Sequence, residues 1–273
     1  MDKPALYTVI GAGGFVGSRL AASLRQDGHA VYTPGRGDAG LLDRPLGRVL
    51  YCAGMTADYA SRPADTVEAH AGLLARLLQR ADFEHLVYLS STRLYDGLDS
   101  ASEDVALPLR PAAPRHLYDL SKALGENLCL TASDGRAAVA RLSCVYDWQP
   151  GAPGFLSEWL QRAAHSKTLR LDSSSGVLRD YIHLDDVVLA LRAMASQRAA
   201  GIVNVASGEN ISNAELAALF AQHGWTVTFH HAGAPQQAPA CPLARLAALG
   251  VAPRPVRDVL AACLTSETYL AAH

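Results

Sequence analysis

Residues 8–20 read TVIGAGGFVGSRL and place Gly11, Gly14 and Gly17 at intervals of three. An apolar, strand-like segment (5–10) precedes the glycines, and an apolar pattern of helical period follows them. Glycine allows a sharp turn and the close approach of a phosphate to bare amides, and the N-terminus of the next helix offers unpaired N–H groups. The stretch therefore predicts the phosphate-binding turn of a dinucleotide site. A tight strand-to-helix turn without a ligand is the alternative.

Composition limits the kind of protein this is. The 273 residues suffice for one large α/β domain or a domain with a lobe, and a hydrophobic content of 49% supports a large core. A net charge of −2 argues against general binding to nucleic acid or to a membrane surface. No apolar run approaches the roughly 18 residues that span a bilayer. The N-terminus lacks the apolar stretch of a signal peptide. We expect a cytoplasmic protein with no nucleic-acid or membrane partner.

The cysteines and histidines predict neither disulfides nor a metal. The five cysteines are widely spaced, and none forms a Cys-x-x-Cys pair, so free thiols in a reducing cytosol are expected. His230 and His231 are adjacent, and on a strand they would point to opposite faces. We expect no metal.

Apolar runs of strand length alternate with amphipathic segments of helix length, which predicts a parallel sheet with helices on both faces. The predicted strands are 5–10, 30–34, 48–53, 86–91 and 137–142. The predicted helices are 15–27, 63–81, 115–132, 153–165, 185–197 and 213–223. We expect a dinucleotide-binding domain over residues 1–150 and a smaller substrate-binding lobe over 151–273, part of which returns to the sheet.

The second predicted strand is followed by an unusually short connection. Only about a dozen residues separate Arg36 from the next strand at Val49, too few for a helix and another strand. We therefore expect the sheet to lack one βα unit on the adenosine side. Asp38 and Asp43 lie in this loop and could reach an adenosine, although solvated loop carboxylates are the plainer interpretation.

The segment from Tyr118 to Lys122 lies in a predicted helix, and its i,i+4 spacing places both side chains on one helix face. A phenol with a pKa of about 10 is a poor acid or base at neutral pH, and a nearby ammonium favours the phenolate. Tyr118 could then exchange a proton with a substrate oxygen while hydride moves at the same carbon. A surface Tyr–Lys contact is the alternative for this pair alone.

The run from His85 to Gly97 predicts a buried strand that ends in the hydroxyls of Ser90, Ser91 and Thr92. Ligands of open α/β sheets bind at the carboxyl ends of strands. A hydroxyl there can donate to an oxygen that gains charge. Hydroxyls that only cap a turn are the alternative.

Together these three features resemble the extended branch of the short-chain dehydrogenase/reductase superfamily, which includes nucleotide-sugar epimerases, dehydratases and 4-ketoreductases. The resemblance covers residues 5–220. It is supported by the segments VLYCAG (49–54), RLSCVY (141–146), RDYIHLDDV (179–187) and NVASGENISNAEL (204–216). The resemblance implies a Rossmann-type doubly wound sheet with a small C-terminal lobe, a nicotinamide dinucleotide, and hydride transfer at a hydroxyl or ketone carbon.

The resemblance also implies roles for individual residues. Tyr118 would be the acid/base, Lys122 would lower its pKa and hold the nicotinamide ribose, and Ser91 would polarise the substrate oxygen, with Ser90 as the competing choice. The implied cofactor contacts are Gly11, Gly14, Phe15, Val16, Gly17, Ala53, Gly54, Tyr118 and Lys122. The implied substrate contacts are Ser91, Thr92, Cys144 and Arg179.

Arg179 suits a substrate diphosphate because a guanidinium can make two parallel hydrogen bonds. An ion pair with Asp180 or Asp186 is the alternative. Asp185 and Asp186 stand at a predicted helix start, where capping explains them without a ligand.

The end of the second predicted strand indicates the cofactor. Gly35 occupies the position where NAD-preferring sites carry an acidic residue for the ribose 2′-hydroxyl, and Arg36 follows it. An arginine without that carboxylate fits a 2′-phosphate better. We predict NADP, with NAD as the second choice. A surface arginine in a short loop is the alternative.

Departures from the family pattern narrow the reaction. The dehydratases carry Asp-Glu directly after the catalytic hydroxyl, whereas Thr92 and Arg93 follow Ser91 here, so dehydration is not expected. The double-epimerase reductases use a cysteine and a histidine where this chain has Arg93 and Gln149. Cys144 replaces an asparagine that contacts the diphosphate in many nucleotide-sugar enzymes.

An NAD(P)-dependent oxidoreductase remains, a 4-ketoreductase or 4-epimerase acting on a nucleotide-activated sugar. A small non-sugar ketone or aldehyde is the alternative substrate. A non-catalytic NADP-binding regulatory protein is the alternative class, but such members commonly lose the Tyr or Lys that this chain keeps at Tyr118 and Lys122.

Relatives commonly form homodimers through two helices, here 63–81 and 115–132. The first of these carries an apolar row, Val67, Leu73, Leu74, Leu77 and Leu78. Core residues that face the sheet would give the same row, so a homodimer is one of two interpretations.

Overall fold

A parallel sheet organises the computed structural model, which describes residues 3–113 and 115–266. The strands of the whole structure are β1 Leu6–Ile10, β2 Ala30–Tyr32, β3 Arg48–Tyr51, β4 His85–Ser91, β5 Ala137–Leu142, β6 Cys144–Tyr146, β7 Thr168–Ser174, β8 Leu178–His183, β9 Gly201–Val205, β10 Asn210–Ser212 and β11 Thr226–His231. Its helices are α1 Phe15–Gln26, α2 Pro63–Val67, α3 Leu73–Arg80, α4 His116–Thr131, α5 Phe155–Ala163, α6 Leu184–Ser196, α7 Asn213–Gln222, α8 Ala244–Ala248 and α9 Val256–Thr265.

The central sheet has six parallel strands in the order β2-β1-β3-β4-β5-β9. Because successive strand residues face opposite sides of a sheet, Leu50 and Val87 enter one core while their neighbours Val49 and Leu86 enter another. Residues of α1 and α6 complete the first core, and residues of α3 and α4 complete the second. The predicted α/β fold with helices on both faces is confirmed.

The adenosine side of the sheet is reduced, as the short connection predicted. Between β2 and β3 the chain forms only a turn of 3₁₀ helix, Ala39–Leu42. Strand β3 then pairs directly with β1. A helix and a further strand are absent from this segment, all of which is described, because it is too short to contain them.

The later part of the chain contributes to two places. Strand β9 completes the central sheet beside β5, and α6 packs on that sheet. Helix α8 also packs on the first core, through Leu246. The other elements enclose a separate core around the buried ring of Trp159, with a three-stranded sheet (β10-β8-β6) and a two-stranded sheet (β11-β7). We propose on this basis the division near residue 150, with β9 and α6 returning to the first unit.

The predicted continuous helix over 63–81 is wrong in one respect. A π-helical turn, Glu68–Gly72, separates α2 from α3. A π turn inserts a residue and shifts the helical face, and here it contains the buried His70. Of the apolar row, Leu74 and Leu77 are buried in the core, whereas Val67 is 43% exposed. The core interpretation therefore accounts for most of the row.

The described residues contain no group of side chains that could hold a metal ion, and no helix long and apolar enough to cross a membrane. All five cysteines are free.

Candidate active site

The glycine turn after β1 is built from close backbone contacts. Gly11 has a φ of +84°, and a Cβ there would lie 2.7 Å from the backbone nitrogen of Ala53. A Cβ on Gly17 would lie 2.3 Å from the carbonyl oxygen of Gly11. Both contacts involve backbone atoms that have little room to move, so any side chain would displace the turn. The structure thus places Gly11, Gly17 and Ala53 around one turn, as predicted. Backbone packing alone already requires glycine at positions 11 and 17, whether or not a ligand binds there.

The N-terminus of α1 is open to an anion. Gly14 precedes the helix without a side-chain cap, and the first helical amides, from Phe15 to Gly17, lack intrahelical acceptors. A cleft of about 580 Å³ lies against Gly14 and Phe15, with the segment 147–153 forming its other wall. Unpaired amides, the helix dipole and the absence of side chains suit a pyrophosphate. The turn therefore fits a dinucleotide.

Tyr118 and Ser91 meet at the carboxyl end of β4. Tyr118 is 5% exposed. Burial raises the pKa of its phenol, while the neighbouring Ser91 hydroxyl and the charge of Arg93 lower that pKa, leaving it above the ordinary value. Ser91 also accepts from the backbone N–H of Arg93 at 3.2 Å. The structure thus places the predicted hydroxyl next to the predicted phenol.

Lys122 lies one helical turn beyond Tyr118 and is buried. Its Nζ donates to the carbonyl oxygen of Leu89 at 2.8 Å. A Cβ on Gly54 would lie 3.3 Å from this Nζ, so the ammonium sits beside the end of β3. Burial lowers the pKa of Lys122 to about 8, against the opposing charge of Glu126. The side chain remains mostly cationic at neutral pH.

The two neighbouring serines point to different partners. The Ser90 hydroxyl donates to Glu126 Oε1 at 2.6 Å within the buried interior, whereas Ser91 interacts with Tyr118. The hydroxyl of Thr92 donates to the carbonyl oxygen of Leu142 at 3.3 Å. This geometry supports Ser91 over Ser90 as the reactive hydroxyl, and it gives Thr92 a structural partner.

A buried histidine of the π turn supports helix α4, and no pattern in the sequence predicted it. His70 Nε2 accepts from the Met55 N–H at 3.0 Å, and His70 Nδ1 lies 2.7 Å from Ser121 Oγ. Ser121 in turn donates to the Tyr118 carbonyl at 2.9 Å. Burial and the Lys122 charge lower the pKa of His70 to about 3, so the ring is neutral and donates from Nδ1. His70 therefore ties the loop after β3 to α4 below Tyr118.

An arginine covers the ring of Tyr118. The guanidinium carbon of Arg93 lies 4.8 Å from the centre of the Tyr118 ring and 5.1 Å from that of Tyr59. The Tyr59 and Tyr118 rings are in edge contact, with 5.5 Å between centroids. The sequence predicted no role for position 93 and marked it only as a departure from the patterns of the dehydratases and the double-epimerase reductases. Its place two residues after Ser91 was the one feature of the sequence that could have indicated a position near the site.

Cys144 and Arg179 come together on adjacent strands, β6 and β8. Cys144 is accessible, but the protein around it desolvates the thiol and raises its pKa to about 11, while the Arg179 charge lowers it. Arg179 stacks 5.1 Å from the Phe155 ring centre, and its buried Nη1 has no hydrogen-bond partner. Cys144 also lies near enough to Tyr118 to raise the pKa of its phenol.

The alternative ion pairs of Arg179 are not formed. Asp180 accepts from the backbone N–H groups of Ser207 and Gly208. Asp186 instead pairs with Arg254 at 3.0 Å. Asp185 lies at the start of α6 and pairs with Arg19 at 2.8 Å. The guanidinium of Arg179 is thus left with an unused donor.

The adenosine side carries charges of both signs. Arg36 is exposed. Asp38 caps the 3₁₀ turn by accepting from the Gly40 N–H, and it also accepts from the Tyr32 hydroxyl at 2.6 Å. The Arg44 guanidinium lies 4.2 Å from the centre of the Tyr32 ring. Sequence reasoning identified Arg36 and Asp38 but missed Tyr32 and Arg44, because folding of the loop brings them together.

Comparison with known proteins identifies the family. The model of the NAD dependent epimerase/dehydratase family matches residues 7–206, well over half of the chain. The chain belongs to this family. The predicted membership is confirmed, and the protein is therefore an enzyme of the NAD dependent epimerase/dehydratase family that uses NAD or NADP. No curated protein sequence shows significant similarity to the chain.

Solved structures share the fold at low sequence identity. MoeE5 with UDP-glucose and NAD has a TM-score of 0.75 and 22% identity, covering 95% of this chain and 97% of that one. A tyrosine-to-phenylalanine mutant of UDP-glucuronic acid 4-epimerase from Bacillus cereus, with a fluorinated substrate analogue and NAD, has a TM-score of 0.77 and 17% identity over 97% and 98% of the two chains. RMD from Pseudomonas aeruginosa with NADPH has a TM-score of 0.72 and 23% identity over 98% of each chain. These similarities establish the architecture of this family member.

Proposed function

We propose that this family member is an NADP-dependent reductase that transfers hydride at the 4-keto group of a nucleotide-activated sugar. The observation that supports it most directly is that Ser91 and Tyr118 interact at the carboxyl end of β4, with Lys122 one helical turn further along α4. The glycine turn after β1 leads to an uncapped helix N-terminus on the same chain. A 4-epimerase acting on the same class of sugar is the second candidate.

The residues would act on a proton and on a carbonyl oxygen. A bound nicotinamide dinucleotide supplies the hydride chemistry. The Ser91 hydroxyl would donate to the substrate oxygen as that oxygen gains charge. The Tyr118 phenol would give its proton to the alkoxide in reduction, or take a proton from the hydroxyl in oxidation. Lys122 would hold the nicotinamide ribose and keep positive charge near the phenol. The raised pKa of Tyr118 keeps the phenol protonated, which suits the reductive direction.

Two observations support a nucleotide sugar as the substrate. Arg179 keeps a buried, unpaired Nη1, the kind of donor that a diphosphate can use. The similar structures of MoeE5 and of the Bacillus cereus epimerase hold UDP-sugars or an analogue, and this chain spans nearly their whole length. Cys144 in place of the usual asparagine favours the alternative, a small non-sugar ketone or aldehyde.

The choice of reductase over epimerase follows from the adenosine side. Arg36 and Arg44 provide two cations near the end of β2, which suit a 2′-phosphate. Asp38 is the observation that favours the epimerase, because a carboxylate near the ribose suits the 2′-hydroxyl of NAD.

The test is cofactor content followed by a substrate survey. The purified protein is denatured and any released dinucleotide identified, and the native protein is then assayed with NADPH and NADH against 4-keto and 4-hydroxy forms of several nucleotide sugars and against simple ketones. A reductase should be isolated empty and oxidise NADPH with a 4-keto sugar. Retained stoichiometric NAD with interconversion of two 4-hydroxy sugars would replace the reductase by the epimerase. Tight NADPH binding without turnover of any substrate would favour a regulatory protein.

Replacing Arg36 with serine should weaken NADPH binding about tenfold and leave NADH binding unchanged, because only the former carries the 2′-phosphate. Dissociation constants for both dinucleotides, measured by fluorescence titration, test this. Arg80→Ser removes an exposed arginine from the end of α3 and serves as the control. Equal weakening of both dinucleotides would assign Arg36 no part in discrimination.

We also propose a homodimer through α2 and α4. Val67 on α2 is 43% exposed and Leu124 on α4 is 47% exposed, and a dimer through these helices would bury both. Light scattering should show a dimer that Leu124→Glu converts to a monomer. Leu189→Glu changes a residue on α6 that is 56% exposed and should leave the dimer intact. A monomeric parent protein would remove the proposal.

A further inference from the structure

Arg93 occupies an unusual place for a cation. It lies in the 3₁₀ turn Thr92–Tyr95 that directly follows β4. Its guanidinium carbon is 4.8 Å from the centre of the Tyr118 ring. Its side chain is only 28% exposed, so it is partly desolvated against the phenol rather than extended into water.

The contacts of Arg93 hold it in place and offset only part of its charge. Its Nη2 donates to the Tyr59 hydroxyl at 3.1 Å, a neutral partner. The single carboxylate within ion-pair range in the described residues is Asp119, with 3.6 Å between Arg93 Nε and Asp119 Oδ1. That oxygen is buried and makes no hydrogen bond, so the pair lacks the short, charge-assisted bond of a strong ion pair. The charge of Arg93 at the Tyr118 ring is therefore only partly offset: it lowers the pKa of that phenol more than the charge of Asp119 raises it.

We propose that Arg93 is a positioning residue that holds a second positive charge, besides that of Lys122, against the Tyr118 phenol and so favours its deprotonated form. The proposal rests on the proposed role of Tyr118 as acid/base. In the dehydratases this position is part of an Asp-Glu pair that serves dehydration. Here Arg93 would instead serve hydride transfer, through its effect on Tyr118.

Charged and titratable groups face Tyr118 from several elements. They are Tyr59 of the loop after β3, His70 of the π turn, Tyr88 of β4, Arg93, Asp119 of α4 and Cys144 of β6. Lys122 lies one helical turn further along α4. His70 is neutral, because burial holds its pKa near 3, and Asp119 and Cys144 raise the pKa of Tyr118. Burial is the largest influence and also raises that pKa, whereas Ser91 and Arg93 lower it. Arg93 is thus the cation whose removal should be visible in the phenol.

The test is the ionisation of Tyr118, followed by phenolate absorbance over a pH series. The difference between the parent and Tyr118→Phe isolates this phenol, and the same difference is taken between Arg93→Met and the double variant. We expect Arg93→Met to raise the Tyr118 pKa by about one unit or more, as for other pairs separated by 4–6 Å. Arg93→Lys should restore part of the shift. Tyr59→Phe, which frees the guanidinium, should produce a smaller shift of the same sign.

The pH profile of turnover supplies the second measurement. The part of the pH profile that reports the ionisation of Tyr118 should move to higher pH in Arg93→Met by the same amount. A raised pKa keeps the phenol protonated to higher pH, whether the phenol acts as a proton donor or as a base. Arg62→Met removes an exposed arginine that pairs with Asp65, and it should move neither quantity.

An unchanged Tyr118 pKa in a folded Arg93→Met protein overturns the proposal. The same pKa with KM raised only for anionic substrates also overturns it and makes Arg93 a substrate contact. Failure of the proposed function is a separate result: turnover would then survive Tyr118→Phe, whereas the spectroscopic shift would still report whether Arg93 acts on the phenol.

Discussion

Replacing Tyr118 with phenylalanine should lower the rate of hydride transfer by about 10²–10⁴-fold, the usual contribution of a positioned general acid or base. The ring would remain between Arg93 and His70, which contact its faces and edge. Only the hydroxyl that interacts with Ser91 would be lost. Dinucleotide affinity should change by no more than about tenfold, the cost of one neutral hydrogen bond. Single-turnover rates and binding titrations measure the two effects separately.

Tyr7→Phe is the matched control for Tyr118→Phe. The Tyr7 hydroxyl accepts from Arg48 near the starts of β1 and β3, at the edge of the sheet opposite the carboxyl ends that carry the site. This variant should keep parent activity. Turnover that survives Tyr118→Phe would remove the acid/base assignment. Loss of both turnover and dinucleotide binding would indicate a damaged fold, which circular dichroism detects.

Replacing Arg141 with methionine should lower the free energy of unfolding by about 3–5 kcal/mol, because it leaves a carboxylate buried without its partner. Arg141 of β5 makes two bonds to Glu126 of α4, from Nε at 2.9 Å and from Nη2 at 2.6 Å. The two side chains are 2% and 5% exposed. Arg141 also donates to the Tyr95 hydroxyl at 2.9 Å. Chemical denaturation measures the loss.

Two variants separate the buried ion pair from a general effect of losing an arginine. Arg198→Met breaks a surface pair with Glu84, whose side chains are 62% and 51% exposed, and it should cost no more than about 1 kcal/mol. The double variant Arg141→Met with Glu126→Leu should recover much of the stability, since both charges are then removed from the interior. A loss of under 1 kcal/mol for Arg141→Met alone would mean that water reaches Glu126.

The local parts of the site could be predicted because their causes are local. Gly11, Gly14 and Gly17 fit a turn in which backbone segments approach so closely that a side chain at position 11 or 17 would collide with them. The spacing of Tyr118 and Lys122 fixes one helix face whatever surrounds it. The number of residues between Arg36 and Val49 is too small for a βα unit in any fold.

Other parts could not be predicted because they depend on which residues meet across the fold. Ser90 and Ser91 are adjacent hydroxyls, and only the position of Glu126 on the packed α4 separates their roles. The sequence predicted His70 only as part of a continuous helix, whereas the structure places it in a π turn, buried against Ser121. The contacts of Arg93 need a turn, a helix and a loop to be in place at once.

The sequence by itself determined the doubly wound α/β plan, the glycine turn before α1 and the helix face that carries Tyr118 and Lys122, the residues proposed for the proton chemistry. Periodicity, glycine geometry and helical spacing act over a few neighbouring positions and leave their marks in the chain. The tertiary structure alone decided that Arg93 would lie on Tyr118, that Arg141 would be buried with Glu126, and that β9 would be the strand that pairs with β5 at the edge of the sheet. These contacts join segments far apart in the chain, where packing rather than local preference sets the direction of each side chain.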